Sequence, residues 1–140
     1  MGTRSTIALE FADGTVQQVY CHWDGYLEHN GKILQEHYSD PFKLRELIDL
    51  GDMSSLAENI GSQHAFEKAP KGECTFYARD RKESGCGAKR FKDFADYKAN
   101  HQYEEFEYIL RACGDKAVWY VADHNSTYVP LTVALEAQTA

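Results

Sequence analysis

Two stretches of alternating residues, each broken by an Asp/Gly pair, constrain the fold of this chain more than any other feature. Thr3 to Phe11 alternates polar and apolar residues, with Ile7, Leu9 and Phe11 on one face, and Asp13-Gly14 turns the chain into Val16 to His22. Successive strand side chains point to opposite faces, so this pattern predicts a half-buried β-hairpin. A turn centred on Asp13-Gly14 pairs residues whose numbers sum to 27: Phe11 with Val16, Ile7 with Tyr20, Ser5 with His22, and Arg4 with Trp23 on the other face. Glu105 to Ala112 alternates again, and Gly114-Asp115 separates it from Lys116 to Asp123. Pairing about that second turn sets Leu110 against Trp119 and Tyr108 against Val121.

Helical patterns fill the space between the hairpins. Leu27, Ile33, Leu34 and Tyr38 form one inward set, with Asn30-Gly31 a break in its first turn. Ser39-Asp40-Pro41 ends that segment and opens the next, whose stripe is Phe42, Leu44, Leu47, Ile48 and Leu50 and whose end is Gly51. Asp52 to Gly61 reads as a short helix or 3₁₀ turn, Ser62 to Gly72 as an irregular connector, and Cys74 to Arg79 as a strand. Asp80 to Lys92 reads as an exposed, mobile loop; Phe94, Tyr97 and His101 at helical spacing leave Asp93 to Gln102 ambiguous. After Pro130, Leu131, Ala134 and Leu135 suit a short helix or an edge strand. The expectation is one α+β domain over 1–140, an antiparallel sheet built from hairpins and packed against two or three helices.

With 43% hydrophobic residues, 140 residues suffice for a core without metal or disulfide staples. A net charge of −7 argues against binding long nucleic acid, which needs Lys and Arg facing phosphates, but leaves room for a small anionic ligand. The cysteines at 21, 74, 86 and 113 form no CxxC pair or close-set disulfide scaffold, the first residues lack the long apolar core expected of a signal peptide, and no apolar run reaches membrane length. A cytoplasmic protein with free thiols and no membrane partner is expected.

The densest chemistry lies in Tyr20-Cys21-His22-Trp23-Asp24-Gly25-Tyr26. Ser5, His22 and Asp24 suggest a nucleophile, base and orienter, yet nothing resembles a nucleophile elbow and Asp24 equally suits a turn cap, so no catalytic residue is assigned. Cys21, His22, His29 and His37 offer metal-ligating atoms at spacings that match no usual ligand pair; neither a metal nor a cofactor is assigned. A basic segment is the second candidate. Arg79, Arg81, Lys82, Lys89, Arg90 and Lys92 face only Asp80 and Glu83, giving +4 locally and −11 elsewhere. Ser84-Gly85-Cys86-Gly87 could supply backbone N–H groups to a phosphate, although a charged loop is more often simply solvated. Tyr20, Trp23, Tyr26, Phe76, Tyr77, Trp119 and Tyr120 offer stacking faces; Trp23 and Tyr26 are the most exposed candidates and most of the others suit a core.

Thr3-Arg4-Ser5-Thr6-Ile7 followed by the CHWDGY stretch resembles an uncharacterised family of small phage and bacterial proteins, through the first third and more weakly to Leu50-Gly51-Asp52. The motifs transfer no chemistry. Short accessory proteins of this kind often act in counter-defence, some as sponges for nucleotide-derived immune signals. The resemblance therefore implies a phage or prophage protein in the host bacterial cytoplasm that sequesters such a signal without turnover. Its ligand-binding residues would be Arg4, Ser5, His22, Trp23, Asp24 and Tyr26, joined by Arg79, Arg81, Lys89 and Arg90 of the basic segment. A homo-oligomer is compatible, since small-ligand pockets often lie between subunits. Two alternatives use the same features: a phosphodiester hydrolase with His22 as acid or base, and an acidic inhibitor that captures a host enzyme.

Overall fold

Strands β1 (Ser5–Glu10) and β2 (Val16–Cys21) form the N-terminal hairpin of a computed structural model that describes residues 3–101, 104–113, 116–123 and 127–139. The register differs from expectation by one residue: Ser5 pairs with Cys21 and Ile7 with Val19. The turn is the cause. Gly14, at φ +91°, donates to the Phe11 carbonyl at 2.9 Å, and Phe11 N–H donates to the Thr15 carbonyl at 2.7 Å. The Asp13 carboxylate accepts from both the N–H and the hydroxyl of Thr15. This makes a three-residue loop with a glycine bulge instead of a two-residue turn, and the added residue shifts every pair. The expected strand pairs Ser5–His22 and Arg4–Trp23 are therefore not formed.

The second hairpin, β6 (Phe106–Cys113) and β7 (Lys116–Asp123), has the expected register, with Leu110 opposite Trp119 and Tyr108 opposite Val121. Its tip, Gly114-Asp115, lies outside the described residues. Strand β6 runs parallel to β1, from Ser5 beside Phe106 to Leu9 beside Leu110. Parallel neighbours require a long crossover, and the intervening helices supply it. Short strands β3 (Met53–Ser55), β4 (Thr75–Phe76), β5 (Lys89–Phe91) and β8 (Val129–Pro130) complete an eight-stranded sheet of order β4-β3-β2-β1-β6-β7-β8, with β5 also on β2. Five of the seven pairings among the described residues are antiparallel, so the protein is a mostly antiparallel α+β domain.

Helices cover both faces. Leu34 and Tyr38 at the end of α1 (Lys32–His37), Leu44, Leu47 and Ile48 of α2 (Pro41–Asp49), and Leu131 of the C-terminal helix pack on Ile7, Leu9, Val19, Tyr108, Leu110 and Trp119. Each fully buried Leu or Ile contributes about 1.5–3 kcal/mol of transfer free energy. The α2 start forms as the sequence indicates: Pro41 takes the first helical position and the Asp40 carboxylate accepts from Phe42 N–H at 3.0 Å. Phe42 departs from the expected stripe, being 82% exposed. Across the sheet, Ala8, Val16, Phe91 and Ile109 pack with Tyr97 of the later helix Phe94–Asn100.

Three local expectations are revised, and two open readings are resolved. Asp52 to Gly61 holds strand Met53–Ser55 and no helix, because His22 and Trp23 N–H groups donate to the carbonyls of Met53 and Ser54 at 3.1 and 2.9 Å. The strand at Thr75 stops at Phe76, where the short helix α3 (Tyr77–Arg81) begins, since the Asp80 carboxylate reaches back to Phe76 N–H at 2.8 Å. Asp80 is buried and 89–91 is β5, so the basic segment is only partly an exposed loop. The ambiguous segment becomes α4 (Phe94–Asn100), capped by Asp93, and the tail is both β8 and helix α5 (Leu131–Thr139). No helix among the described residues is long and apolar enough to cross a membrane.

Candidate functional site

The CHWDGY corner is built as a structural knot. Asn30, fully buried in a π-helical turn (Leu27–Gly31) before α1, donates from Nδ2 toward Ser5 Oγ, Cys21 Sγ and the Trp23 carbonyl at 3.3–3.4 Å. Gly25 lies against Ser5 and the Thr3 carbonyl, with no space for a Cβ, and its own carbonyl accepts from the Tyr108 hydroxyl at 2.7 Å. Asp24 adopts the left-handed region at φ +56°, which an Asp tolerates better than most residues. Burial pushes the Cys21 thiol up to about 12, so it is neither a nucleophile nor a ready metal ligand. Ser5 has no exposed surface and faces Cys21, so it is removed from both the nucleophile and the ligand-contact readings.

The outer part of the corner is open. Tyr20 hydroxyl and His22 Nδ1 lie 2.7 Å apart, and the His22 ring stands edge-on to Trp23 at 4.8 Å. Desolvation raises the Tyr20 phenol to about 12 despite the nearby Arg4 charge, so the phenol is neutral at physiological pH. Trp23 and Tyr26 expose about 40% of their surface, 41% and 37%. His29 is hydrogen-bonded to Asn30 and His37 ends α1 in solvent, and among the described residues Cys21, His22, His29 and His37 form no metal-holding cluster.

The basic segment divides into two parts with different roles. Arg79 is consumed internally: Nε and Nη2 bond Asp80 at 3.0 and 3.1 Å, Nη1 bonds the Ile60 and Gly61 carbonyls, and Nη2 the Cys74 carbonyl. Arg81 pairs with Glu83 and stacks on Phe66 and Tyr77. Both are better explained as structural than as ligand contacts. The backbone of Cys86, in the Gly-containing stretch, is also engaged, since its carbonyl accepts from Asp52 N–H at 2.7 Å. The Asp52 carboxylate fills the gap in the β2 ladder between β5 and β3, accepting from Tyr20 N–H at 2.9 Å. Burial raises its pKa, against the opposing effects of that N–H and of Lys89. Lys89, paired opposite Gln18, is the cation beside that carboxylate, whereas Arg90, paired opposite Gln17, is carried to the rim of a groove.

That groove, formed by described residues, suits an anion. It measures about 600 Å³ and lies between the first hairpin's loop, β5 and α2, with Phe11, Gln17, Arg45, Arg90, Phe91 and Lys92 along it. Asp13 is the one carboxylate among the described residues of its lining; Thr15 holds that carboxyl below the usual range, so it is ionised. Among the described residues neither Arg45 nor Arg90 has an ion-pair partner. Arg45 lies over the Phe11 ring at 5.7 Å and also lines an adjoining pocket of about 380 Å³, with Phe11 common to both. Sequence reasoning missed Arg45 because it is one exposed cation on an amphipathic helix. It found Arg90 only through the local charge count.

A second missed cluster is sealed beneath α4. His101 Nε2 lies 2.8 Å from Glu107 Oε1, which also accepts from the Tyr128 hydroxyl at 3.0 Å. His101 Nδ1 bonds the Tyr97 carbonyl and its ring stacks on Tyr97 at 4.5 Å. The His101 and Glu107 side chains are 1% and 4% exposed, so this pair ties α4 to β6 out of a substrate's reach. No family model, curated protein or solved structure matches the chain.

Proposed function

We propose that the protein binds a small phosphorylated, nucleotide-derived ligand in the groove beside the first hairpin and holds it without turnover. The carrying observation is the convergence of Arg45, Arg90 and Lys92 on one groove, with Asp13 the carboxylate in its described lining and Asp96 beside Lys92, in a chain of net charge −7. Three cations in a cleft focus an anion far better than the same charges spread over a surface, and arginine forks match phosphate oxygens. Asp13 is committed to Thr15, and the groove lining contains no His or Cys, so binding is better supported than hydrolysis. In the phage or prophage setting that the N-terminal resemblance suggests, the ligand would be a host immune signal and the protein its sponge. The CHWDGY corner then supports the scaffold, and Trp23 and Tyr26 lie outside the groove lining.

Native mass spectrometry of the purified protein, incubated with a panel of cyclic dinucleotides and ADP-ribose-derived signals, tests this and reports the oligomeric state. Denaturing the complex and recovering one unaltered nucleotide, with binding lost in Arg45→Glu and Arg90→Glu but kept in Trp23→Ala, supports the sponge. Recovery of a cleaved product, abolished by His22→Ala, would transfer the function to the hydrolase reading. No bound nucleotide, together with capture of a host enzyme that charge reversal of surface acids removes, would transfer it to the acidic inhibitor.

A further inference from the structure

We infer that the ligand is a nucleoside diphosphate or a conjugate of one, with a single planar ring and at least two phosphates, rather than a two-base cyclic dinucleotide. This rests on the groove reading above and adds the shape of its occupant. Both compartments carry charge, the pocket of about 380 Å³ at Glu10, Arg111 and Lys116 and the groove of about 600 Å³ at Arg90 and Lys92. The pocket adds an apolar wall of Leu9, Pro41, Phe42, Leu110 and Ala117. Both volumes lie within the roughly 300–1,000 Å³ of small-ligand sites. Arg45 and Phe11 stand at the junction, lining each. A ligand filling both therefore has an apolar, flat end and an anionic end, with the Arg45 guanidinium at the join.

Charge and exposure set the details. Over the groove and the pocket together, Arg45, Arg90, Lys92, Arg111 and Lys116 exceed Asp13 and Glu10 by three charges, which a nucleoside diphosphate of about −3 at neutral pH matches more closely than a monoester of about −2. Phe42 is a large aromatic left 82% exposed at the pocket wall, on a helix whose neighbouring Leu44 is fully buried. A purine or pyrimidine ring stacked on it would cover that surface. The apolar wall of the pocket, joined to the groove at Arg45 and Phe11, gives one base its place. A second base, held in the groove itself, would lie against arginines already needed for phosphate.

Titration calorimetry with the four common nucleoside diphosphates, pyrophosphate, adenosine and a cyclic diadenylate tests this on the unaltered protein, Phe42→Ala and Arg90→Glu. Circular dichroism verifies that each variant folds. One or more diphosphates should bind about tenfold or more tighter than pyrophosphate. Phe42→Ala should weaken them by about fivefold to tenfold without affecting pyrophosphate, and Arg90→Glu should weaken both. Equal affinity for pyrophosphate and every nucleoside diphosphate, with Phe42→Ala silent, would overturn the inference while leaving an anion-binding groove. Tightest binding of the cyclic diadenylate would also overturn it, again leaving the groove. No binding of any probe, pyrophosphate included, would overturn the groove reading itself and the inference with it.

Discussion

Replacing Asp80 with Ala should be among the most damaging single changes in this protein, although the sequence places that residue in a polar, charged stretch. Its carboxylate has no exposed surface and accepts four hydrogen bonds: from Phe76 N–H at 2.8 Å, His64 N–H at 3.1 Å, Arg79 Nε at 3.0 Å and Arg79 Nη2 at 3.1 Å. The Arg79 side chain is itself only 13% exposed. Removing one partner of a buried ion pair leaves an uncompensated charge and costs about 3–5 kcal/mol. A chain of this length has of order 7–21 kcal/mol of total stability. The thermal midpoint should therefore fall by about 10 °C, at roughly 2–4 °C per kcal/mol. Urea unfolding followed by circular dichroism and Trp fluorescence measures the loss. Glu83→Ala is the internal control, because its bond with Arg81 joins side chains 51% and 39% exposed, and it should cost less than about 1 kcal/mol. If Asp80→Ala cost no more than Glu83→Ala, the structural assignment of Arg79 would fail and Arg79 would return to the ligand candidates. The pH dependence adds a sign. Burial opposes ionisation of Asp80, but bonds from Arg79, Phe76 and His64 outweigh it and hold the pKa below the usual range. Its contribution is thus present above the unfolded value and lost as pH falls through the folded one, so the variant and the unaltered protein should converge in acid.

His64 should give the opposite dependence: Nδ1 and Nε2 face the carbonyls of Ala65 and Cys74 at 2.8 and 2.9 Å, so the doubly protonated ring satisfies both and the pKa is raised. Its contribution is full below the unfolded value of about 6.5 and lost as pH rises through the folded one; urea midpoints measured across that range should show this arm flattened in His64→Ala. Gly25→Ala should destabilise by more than about 1 kcal/mol in chemical denaturation, since the added methyl meets Ser5 Cβ at 2.7 Å and the Thr3 carbonyl at 2.8 Å; an unchanged midpoint would show the corner to be looser than its packing indicates. Tyr108→Phe should cost about 1–3 kcal/mol by leaving the buried Gly25 carbonyl without its 2.7 Å hydroxyl donor, and an undiminished urea midpoint would refute that bond's role.

The local patterns were legible where the interactions that decide them are local. Alternation set both long hairpins, and Ser39-Asp40-Pro41 located the start of α2 because a carboxylate cap and an N1 proline act within one helical turn. The second hairpin's register followed from its turn position, whereas the first slipped by one residue because the Asp13 carboxylate, bonded to Thr15, favours a longer loop around Gly14. Asn30-Gly31 looked like a helix breaker, yet Asn30 is a buried anchor whose partners Ser5 and Cys21 come from the two strands of that hairpin.

What the sequence determined by itself was the fold class, the two hairpins, helix α2 and a local excess of positive charge, since each depends on residues a few positions apart. Only the tertiary structure decided which charges remain available. Arg79 and Arg90 look alike in a basic stretch, but the first is neutralised by Asp80 and by carbonyls of the connector at Ile60 and Gly61. The second is carried by β5 to the edge of a groove whose other arginine, Arg45, comes from α2. Free energy of burial and pairing depends on what lies across space from a side chain, and that neighbour is not written beside it in the chain.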